Sequence, residues 1–413
     1  MSRYRGGILC VDGVALTEIA ARYGTPCYVY SRAGIERAYR EYDQALAPHP
    51  HLVCYAVKAN SNLAVLDVLA RLGAGFDIVS VGELERVLRA GGVPGRVMFA
   101  GVGKRADEMQ RALEVGIRCF NVESWAEIEG LNRIAGGLGL RAPVSIRVNP
   151  DVEAGTHPYV TTGERSNKFG IGYADALDVC RRAAALAHVK LLGIGCHVGS
   201  QLTALEPILS ALRRVLALAD ALAAEGLGIT QVDIGGGLGI RYHRESPPST
   251  AEYGRALVER LAGRAEQLII EPGRSIAGPH GLLLTRVEYL KTAGERRYAV
   301  VDAAMNDLLR PALYGAWQDI VPVDRGRDRE AAVYDVVGPV CESADCLGQD
   351  RPLAIAAGDL LAVCDAGAYG FSMSSTYNSR PRAAEVMVSD NQARLVRRRE
   401  TVEELLAGEA MLG

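Results

Sequence analysis

The sequence predicts an α/β fold joined to an all-β fold: a (β/α)8 barrel of the TIM type, and a C-terminal β-sandwich or β-barrel domain that also takes in the N-terminal strands. Three observations predict it. The chain has 413 residues, more than one compact core usually holds. Short apolar runs alternate with helical patterns at a regular spacing in the first two thirds of the chain. Beyond Pro279, strand and turn patterns replace the helical ones.

The apolar runs are the predicted barrel strands. There are eight, at residues 52–57, 76–79, 97–100, 118–121, 144–148, 191–196, 232–234 and 268–270. From residue 52 to residue 268 the repeat averages about 31 residues, the size of one βα unit. Amphipathic segments with a helical period lie between them, for example at residues 63–72 and 205–225. Such apolar strands are typical of a parallel sheet covered by helices, and eight units predict a closed barrel.

The predicted β domain follows Pro279. The sequence predicts strands at residues 281–289, 298–301, 332–337 and 353–364, with turn-rich segments between them. Two strand-like pieces, residues 8–11 and 27–30, precede the barrel repeats, and we assign them to the β domain. The predicted division is therefore residues 1–33, which join the β domain, residues 34–279, which form the barrel, and residues 280–413, which form the C-terminal β domain.

Composition and charge exclude several classes of protein. The 46 basic and 49 acidic residues give a net charge of −3, without the basic excess of proteins that bind nucleic acid or anionic membranes. With 49% hydrophobic residues the chain is not globally disordered. No run approaches the ~20 apolar residues of a membrane span and no export signal is evident, so we expect a cytoplasmic protein. We expect the nine cysteines to be reduced thiols, and their spacing predicts no metal site.

Polar and reactive residues cluster where the predicted barrel strands end. A (β/α)8 barrel carries its active site at the carboxyl ends of its strands. The sequence places there Lys58 and Asn60 at the first strand, Asp77 and Ser80 at the second, Arg147 and Asn149 at the fifth, His197 and Ser200 at the sixth, Gly235-Gly236-Gly237 at the seventh, and Glu271-Pro272-Gly273-Arg274 at the eighth. We therefore expect one active site at this mouth of the barrel.

Each of these groups has more than one interpretation when it is taken alone. Lys58 is either an ordinary surface lysine or a partly desolvated amine that attacks carbonyl carbons. The triple glycine is either a plain turn or a phosphate cradle that leads into the N-terminus of a helix. His197 is a core histidine, a base or an aromatic partner. Glu271 is either an ion-pair partner of Arg274 or the carboxylate that keeps a pyridine nitrogen protonated.

The reactive interpretations fit one cofactor. An amine for an aldehyde, glycines for a phosphate, an imidazole for an aromatic ring and a carboxylate for a ring nitrogen are the groups that pyridoxal 5′-phosphate uses. The sequence therefore predicts an enzyme that depends on this cofactor.

Nine segments along the chain form a set that covers nearly all of it. They are Tyr55-Ala-Val-Lys58-Ala-Asn60, Phe76-Asp-Ile-Val-Ser80, Asn167-Lys-Phe-Gly170, Cys196-His-Val-Gly-Ser-Gln201, Asp233-Ile-Gly-Gly-Gly-Leu-Gly239, Glu271-Pro-Gly-Arg274, Arg310-Pro-Ala-Leu-Tyr314, Gly338-Pro-Val-Cys-Glu-Ser343 and Gly367-Ala-Tyr-Gly370. In this order they resemble the fold-type III pyridoxal-phosphate-dependent decarboxylases, and within them the diaminopimelate decarboxylase family.

The resemblance implies a role for each site residue. Lys58 would bond the cofactor aldehyde, His197 would stack on its ring, and Glu271 would contact the pyridine nitrogen. Further cofactor contacts are implied for Ser200, Gly236, Gly237, Gly273, Arg274 and Tyr369. Cys341 resembles the acid that returns a proton after decarboxylation, a step that Lys58 could also perform, and Glu342 resembles its substrate-binding neighbour. In the family these two residues reach into the partner subunit's site, which implies a head-to-tail homodimer with shared active sites.

The far end of the substrate distinguishes the decarboxylases from one another. Meso-2,6-diaminopimelate carries a carboxylate there as well as an ammonium group, whereas ornithine, lysine and arginine carry only a cation. Arg310 and Tyr314, four residues apart, could bind that carboxylate, and Glu342 the ammonium group. Arg274 would face either the phosphate or the distal carboxylate, and Tyr369 is a further contact. An ion pair between domains is the alternative for Arg310.

We therefore expect an amino-acid substrate and the conversion of meso-2,6-diaminopimelate to L-lysine and CO2. A fold-type III decarboxylase of a related amino acid with a distal anion, such as carboxynorspermidine, is the alternative. A non-catalytic protein of this fold would not need Lys58 or Cys341, and the Cys341-Glu342 pair disfavours a racemase. We expect the long loop at residues 151–165 to cover the site and to help select the substrate.

Overall fold

The structure is a computed structural model that describes residues 2–152, 168–326 and 329–413. Most of the loop that we expect to cover the site, and Asn167 of the matching segments, lie outside the described residues. The described chain divides into two compact units. The β unit contains residues from 1–35, 241–245 and 277–413, and the barrel unit contains residues from 36–240 and 246–276.

The beginning of the chain contributes strands to the β unit. In chain order the elements are β1 (Ser2–Arg5), β2 (Ile8–Val11), β3 (Val14–Ala15), α1 (Leu16–Tyr23), β4 (Cys27–Ser31) and α2 (Arg32–Leu46). The last of these helices leads into the barrel unit.

The barrel unit alternates strands and helices. In chain order these are β5 (His51–Ala56), α3 (Leu63–Arg71), β6 (Gly75–Ile78), α4 (Val81–Arg89), β7 (Val97–Phe99), α5 (Ala106–Val115), β8 (Cys119–Val122), α6 (Trp125–Gly137), β9 (Ala142–Asn149), β10 (Ile171–Gly172), α7 (Ala176–Ala184), β11 (Val189–Gly195), α8 (Glu206–Ala224), β12 (Gln231–Asp233), α9 (Thr250–Arg260), β13 (Gln267–Ile270) and α10 (Arg274–Ala277).

Eight of these strands close into a parallel barrel in the order β5-β6-β7-β8-β9-β11-β12-β13. The closure is visible in two pairings, Ile269 of β13 with Leu52 of β5 and Phe120 of β8 with Val144 of β9. The short strand β10 adds to β9 outside the ring. Most barrel-strand residues are buried, which explains why the strands appear in the sequence as continuous apolar runs. The predicted (β/α)8 barrel is confirmed.

Several barrel helices begin at a polar residue that directly follows a strand or its turn. The side chains of Asn62, Ser80 and Ser124 accept hydrogen bonds from backbone N–H groups two or three residues further on, and so cap α3, α4 and α6. Each cap fixes the point at which the chain leaves the barrel mouth and turns back along the outside. None of the described helices has the length and apolar composition that a bilayer crossing requires.

The rest of the chain completes the β unit. Its elements are β14 (Gly281–Ala293), β15 (Arg296–Val301), α11 (Arg310–Tyr314), β16 (Ile320–Pro322), β17 (Ala332–Val337), β18 (Cys346–Leu353), β19 (Leu360–Val363), β20 (Ala384–Ser389), β21 (Gln392–Arg397) and α12 (Val402–Leu406).

A mixed nine-stranded sheet organises this unit. Its main path runs β18-β17-β15-β14-β4-β20-β21, while β19 pairs with β14 and β16 pairs with β19. The N-terminal strand β4 lies inside this sheet, between β14 and β20, and β1, β2 and β3 form a separate antiparallel sheet. Apolar residues from β2, β4, β14 and β20 share one core. The prediction that the N-terminal strands join the β domain is confirmed.

One predicted strand is wrong. Residues 353–364 do not form a single strand, because β18 ends at Leu353 and β19 begins only at Leu360. Between them the N–H of Asp359 donates to the carbonyl of Ala356 at 3.2 Å, and Gly358 has a φ of +85°, which favours glycine. The residues on both sides of this turn are apolar, so hydrophobicity alone does not reveal it.

Candidate active site

A cavity lies among the carboxyl ends of the barrel strands. It is lined by Lys58, Ala100, Asn121, Ser145, Arg147, Gly195, Cys196, His197, Asp233 and Glu271. Three residues that the sequence predicts for the site, Lys58, His197 and Glu271, therefore face one cavity. Asn121, Ser145 and Asp233 also line it, and the sequence predicts no role for them.

Lys58 lies on a single 3-10 turn, Val57–Ala59, directly after β5. Its Nζ donates to Oδ2 of Asp77 at 2.8 Å. The carboxylate of Asp77 is fully buried, while 39% of the lysine side chain is exposed. The amine is therefore held at the mouth by a counterion below it and can be reached from the cavity above.

Two buried carboxyl groups lie opposite each other in the cavity. Nδ2 of Asn121 donates to both, to Oε1 of Glu271 at 3.1 Å and to Oδ2 of Asp233 at 3.0 Å. Burial, followed by the charges of Asp233 and Asp77, raises the pKa of Glu271 well above its ordinary value. Burial also raises the pKa of Asp233 to about 6, although the Gly235 N–H donates to this carboxylate. Asn121 holds the two carboxyl groups close together, and the charge of Asp233 adds to burial in favouring the protonated form of Glu271.

His197 follows β11 and turns one ring nitrogen toward the glycine loop. The N–H of Gly236 donates to its Nδ1 at 3.3 Å, so Nδ1 carries the lone pair and the proton of the neutral ring lies on Nε2. Burial, and then the nearby charges of Arg147 and Lys58, lower the pKa of His197 well below its ordinary value. The ring is therefore neutral at physiological pH, which suits packing against an aromatic cofactor.

The glycine loop packs too tightly for side chains. A Cβ on Gly236 would lie 2.2 Å from the carbonyl oxygen of Glu271, and one on Gly237 would lie 2.5 Å from that of Gly199. Gly235 and Gly237 also have φ values of +67° and +107°. The helix predicted to follow directly is wrong: Leu238 instead forms a parallel bridge with Leu202, and α9 begins only at Thr250. A phosphate here would meet loop backbone rather than a helix N-terminus.

Ser200 and Arg274 meet beside this loop. Nη2 of Arg274 donates to Oγ of Ser200 at 2.8 Å, and Arg274 is buried. Gly273 allows the approach of the turn that carries Arg274, because a Cβ there would lie 2.9 Å from the Cβ of Ala59. The arrangement offers a hydroxyl and a guanidinium to one anion.

The remaining predicted residues belong to the β unit. Arg310 is buried and lies with Tyr314 on α11, four residues apart and so on one face of that helix. Tyr369 is partly buried and has a φ of +55°. Cys341 and Glu342 are exposed.

Neighbouring polar groups hold the Cys341-Glu342 segment in place. The N–H of Cys341 donates to Oδ1 of Asn378 at 3.1 Å, and the hydroxyl of Tyr377 donates to Oε1 of Glu342 at 2.6 Å.

Arg147, at the fifth strand, is held by a carboxylate that also fixes the chain after the long loop. Its Nη1 donates to Oε1 of Glu123 at 3.0 Å, and the N–H of Gly170 donates to Oε2 of the same residue at 3.0 Å. The guanidinium also lies 4.8 Å from the ring centre of Phe169. Strand patterns pointed to Arg147 but not to Glu123, which follows β8 and looks like an ordinary surface glutamate in the sequence.

The side chains at the barrel mouth fit pyridoxal phosphate. They supply an amine, two buried carboxyl groups, a neutral imidazole and a loop whose glycines leave no room for a Cβ. Within the described chain, Oδ1 of Asp77 and Oδ1 of Asn121 are buried and lack a hydrogen-bond partner. Buried polar atoms of this kind in a cavity are typical of a site built for a polar group.

Comparisons with known proteins identify the family. Residues 32–278 match the family model described as pyridoxal-dependent decarboxylase, pyridoxal binding domain. A diaminopimelate decarboxylase of Pseudomonas aeruginosa is 62% identical, over 99% of this chain and 98% of that protein. The chain belongs to the diaminopimelate decarboxylase family.

Solved structures of diaminopimelate decarboxylases have the same fold as this chain. A diaminopimelate decarboxylase from Helicobacter pylori, complexed with L-lysine, has a TM-score of 0.92 at 42% identity, over 95% of this chain and 98% of that one. One from M. jannaschii, also in complex with L-lysine, has a TM-score of 0.94 at 35% identity, over 100% and 98%. Membership confirms the predicted decarboxylase activity and the predicted pyridoxal phosphate cofactor.

Proposed function

We propose that this chain decarboxylates meso-2,6-diaminopimelate to L-lysine and CO2. The observation that carries the proposal is the convergence of Lys58, His197 and Glu271 on one cavity at the barrel mouth. The choice of substrate is supported by relatives, one of them 62% identical, that bear the name diaminopimelate decarboxylase.

When bound, pyridoxal phosphate supplies a conjugated ring that accepts the electron pair left behind as CO2 departs. Lys58 would hold the cofactor through its Nζ. Glu271 would lie at the ring nitrogen and favour its protonated form. His197, neutral at working pH, packs on the ring without adding a second positive charge.

The anion of the cofactor binds beside the glycine loop. We assign the backbone of Gly236, Gly237 and Gly273 to this phosphate, together with the hydroxyl of Ser200. Arg274, hydrogen-bonded to Ser200, supplies the positive charge. Tyr369 contributes a further contact to the cofactor and substrate.

Residues of the β unit select the substrate. Arg310 and Tyr314 bind the distal carboxylate, and Glu342 binds the distal ammonium group. Cys341 returns a proton to the carbon that has lost CO2. Cys341 and Glu342 act in the partner subunit's site, within a head-to-tail homodimer, and their exposure supports this assignment.

We also propose a cytoplasmic location and the division into residues 1–33, 34–279 and 280–413, with the central part as the cofactor-binding domain. The family match over residues 32–278 supports the limits of that domain.

The Lys58→Ala variant tests the assignment. We expect the purified protein to show a visible absorbance band from the lysine-bound cofactor, and the variant to lose both this band and CO2 release from meso-2,6-diaminopimelate. Lys190→Ala, at an exposed position of β11, is the matched control and should keep both. No CO2 from this substrate, or a larger kcat/KM for carboxynorspermidine, would refute the proposed substrate.

A further inference from the structure

The chain that leaves the glycine loop continues into the β unit. Residues 241–245 belong to that unit although they lie between two barrel segments in sequence. Within this segment Tyr242 is buried, and the guanidinium of Arg310 lies over its ring, 4.4 Å from the ring centre. Arg310 is buried as well. An arginine proposed to bind the substrate therefore packs on an aromatic ring in the segment that follows the glycine loop.

Neighbouring contacts keep Tyr242 in this place. Oε2 of Glu245 accepts the backbone N–H groups of Tyr242 and His243, at 3.2 and 2.7 Å. The ring of His243 stacks on Trp317, with 4.0 Å between ring centres. The guanidinium of Arg351, which is buried, also lies over the Trp317 ring, at 3.1 Å. The segment is thus fixed on its backbone and through the residue next to Tyr242.

The stacking geometry determines what Arg310 can still bind. A guanidinium is planar, and its five N–H donors point outward in that plane. A ring over its face attracts the cation without using any of those donors. A carboxylate is best bound by two of the donors side by side, which requires the plane to be held still.

We propose that Tyr242 is a positioning residue for the distal carboxylate of the substrate: its ring holds the plane of Arg310 so that the donors of the guanidinium face that carboxylate. The inference rests on the proposed function, which assigns Arg310 to this group. It adds a residue that acts through Arg310 and makes no contact with the reacting carbon.

A pair of ligands separates this role from a general loss of structure. Decarboxylation removes one of the two carboxylates of diaminopimelate, so L-lysine keeps the distal one. Cadaverine, which is 1,5-diaminopentane, has lost both. A residue that positions Arg310 affects the binding of L-lysine and leaves the binding of cadaverine unchanged.

The test uses the holoenzyme with Tyr242→Leu and Tyr242→Phe. For Tyr242→Leu we expect a KM for meso-2,6-diaminopimelate and an inhibition constant for L-lysine that both rise about tenfold, the effect of losing a desolvated cation–π contact. The kcat and the inhibition constant for cadaverine should stay unchanged. Tyr242→Phe keeps the ring and should behave like the unmodified enzyme. Tyr4→Leu is the matched control, because Arg325 lies over the Tyr4 ring at 4.0 Å.

The Arg310→Gln variant separates failure of this inference from failure of the proposed function. If it leaves the preference for L-lysine over cadaverine intact, Arg310 does not bind the distal carboxylate and the proposed function of that residue fails. If it removes the preference while Tyr242→Leu does not, only the role of Tyr242 fails. Adding Tyr242→Leu to Arg310→Gln should change the inhibition constant for L-lysine no further, and an additional loss there would also overturn the inference.

Discussion

Burial acts in opposite directions on neighbouring groups of the barrel mouth. Burial raises the pKa of Glu271, an acid, and lowers the pKa of His197, a base, because an apolar environment disfavours the charged form of each group. Burial thereby favours the protonated form of the Glu271 carboxyl group and the neutral form of the imidazole. Both states suit a cofactor whose ring nitrogen must be protonated and whose ring face must not meet a second cation.

Asp365 should make the proposed binding of the distal carboxylate by Arg310 depend on pH. Burial, followed by the charge of Asp319, raises its pKa to about 7, and Arg310 opposes this shift. Below pH 7 the Asp365 carboxyl is neutral and does not attract the Arg310 guanidinium. Above pH 7 it is ionised and competes with the substrate carboxylate for that guanidinium. We expect the KM for meso-2,6-diaminopimelate to rise above pH 7 and to lose this rise in Asp365→Asn. Asp67→Asn, on α3, is the control, and an unchanged rise in Asp365→Asn would assign the titration to another group.

At the scale of elements, strand ends and the turns after them build the site. The 3-10 turn after β5 carries Lys58, the loop after β12 carries the glycines, and the turn after β13 carries Glu271. These segments pack on one another through backbone, as the N–H of Ala56 shows by donating to the carbonyl of Pro272 at 3.1 Å. The site therefore depends on small residues at the contacts as much as on its reactive side chains.

Two glycine substitutions should have opposite effects. Gly236→Ala forces a Cβ to within 2.2 Å of a backbone oxygen, so we expect it to lower the melting temperature and to weaken cofactor binding. Gly130→Ala, inside α6 with nothing within 4 Å of the added Cβ, should stabilise the protein by about 0.5–1 kcal/mol. Urea unfolding and titration of apoenzyme with pyridoxal phosphate measure both. Equal behaviour of the two variants would contradict the packing argument.

At the scale of the whole molecule, the proposed function assigns Cys341 and Glu342 to the site of a second copy of the chain. Lys58 lies in the barrel unit, whereas Arg310, Cys341 and Glu342 lie in the β unit. Complementation tests the shared site. Neither Lys58→Ala nor the double variant Cys341→Ala/Glu342→Ala should be active alone. In a mixed dimer one site carries both defects and the other is intact.

Random reassortment of equal amounts should therefore restore about a quarter of the unmodified activity. Size-exclusion chromatography after mixing gives the assembly state. A mixture of dimers with no recovered activity would mean that each chain completes its own site.

Local pattern allowed much of this architecture to be predicted. The eight barrel strands were found because a strand buried on both faces needs an unbroken apolar run. Strand β18, with the sequence Cys346–Leu353, was missed because its Gly348, Pro352 and charged residues hide the strand pattern. The break between β18 and β19 was missed for the converse reason, since the residues around that turn are apolar.

Parts of the site, like parts of the fold, could be predicted from the sequence and others could not. Lys58, His197 and the glycine loop follow strands directly, so their place at the barrel mouth could be predicted from chain order alone. The hydrogen bond from Asn121 to Glu271 joins residues 150 positions apart, and no pattern along the chain predicts it. The same is true of the contact between Tyr242 and Arg310.

The sequence by itself determined the barrel and the cofactor and predicted the place of Lys58, because period, spacing and residue type are properties of neighbouring positions. Only the tertiary structure decided in which direction the pKa of Glu271 shifts, which ring nitrogen of His197 accepts a hydrogen bond and which ring packs on Arg310. Those properties depend on burial and on partners brought together by folding, and they exist only once distant segments share one cavity.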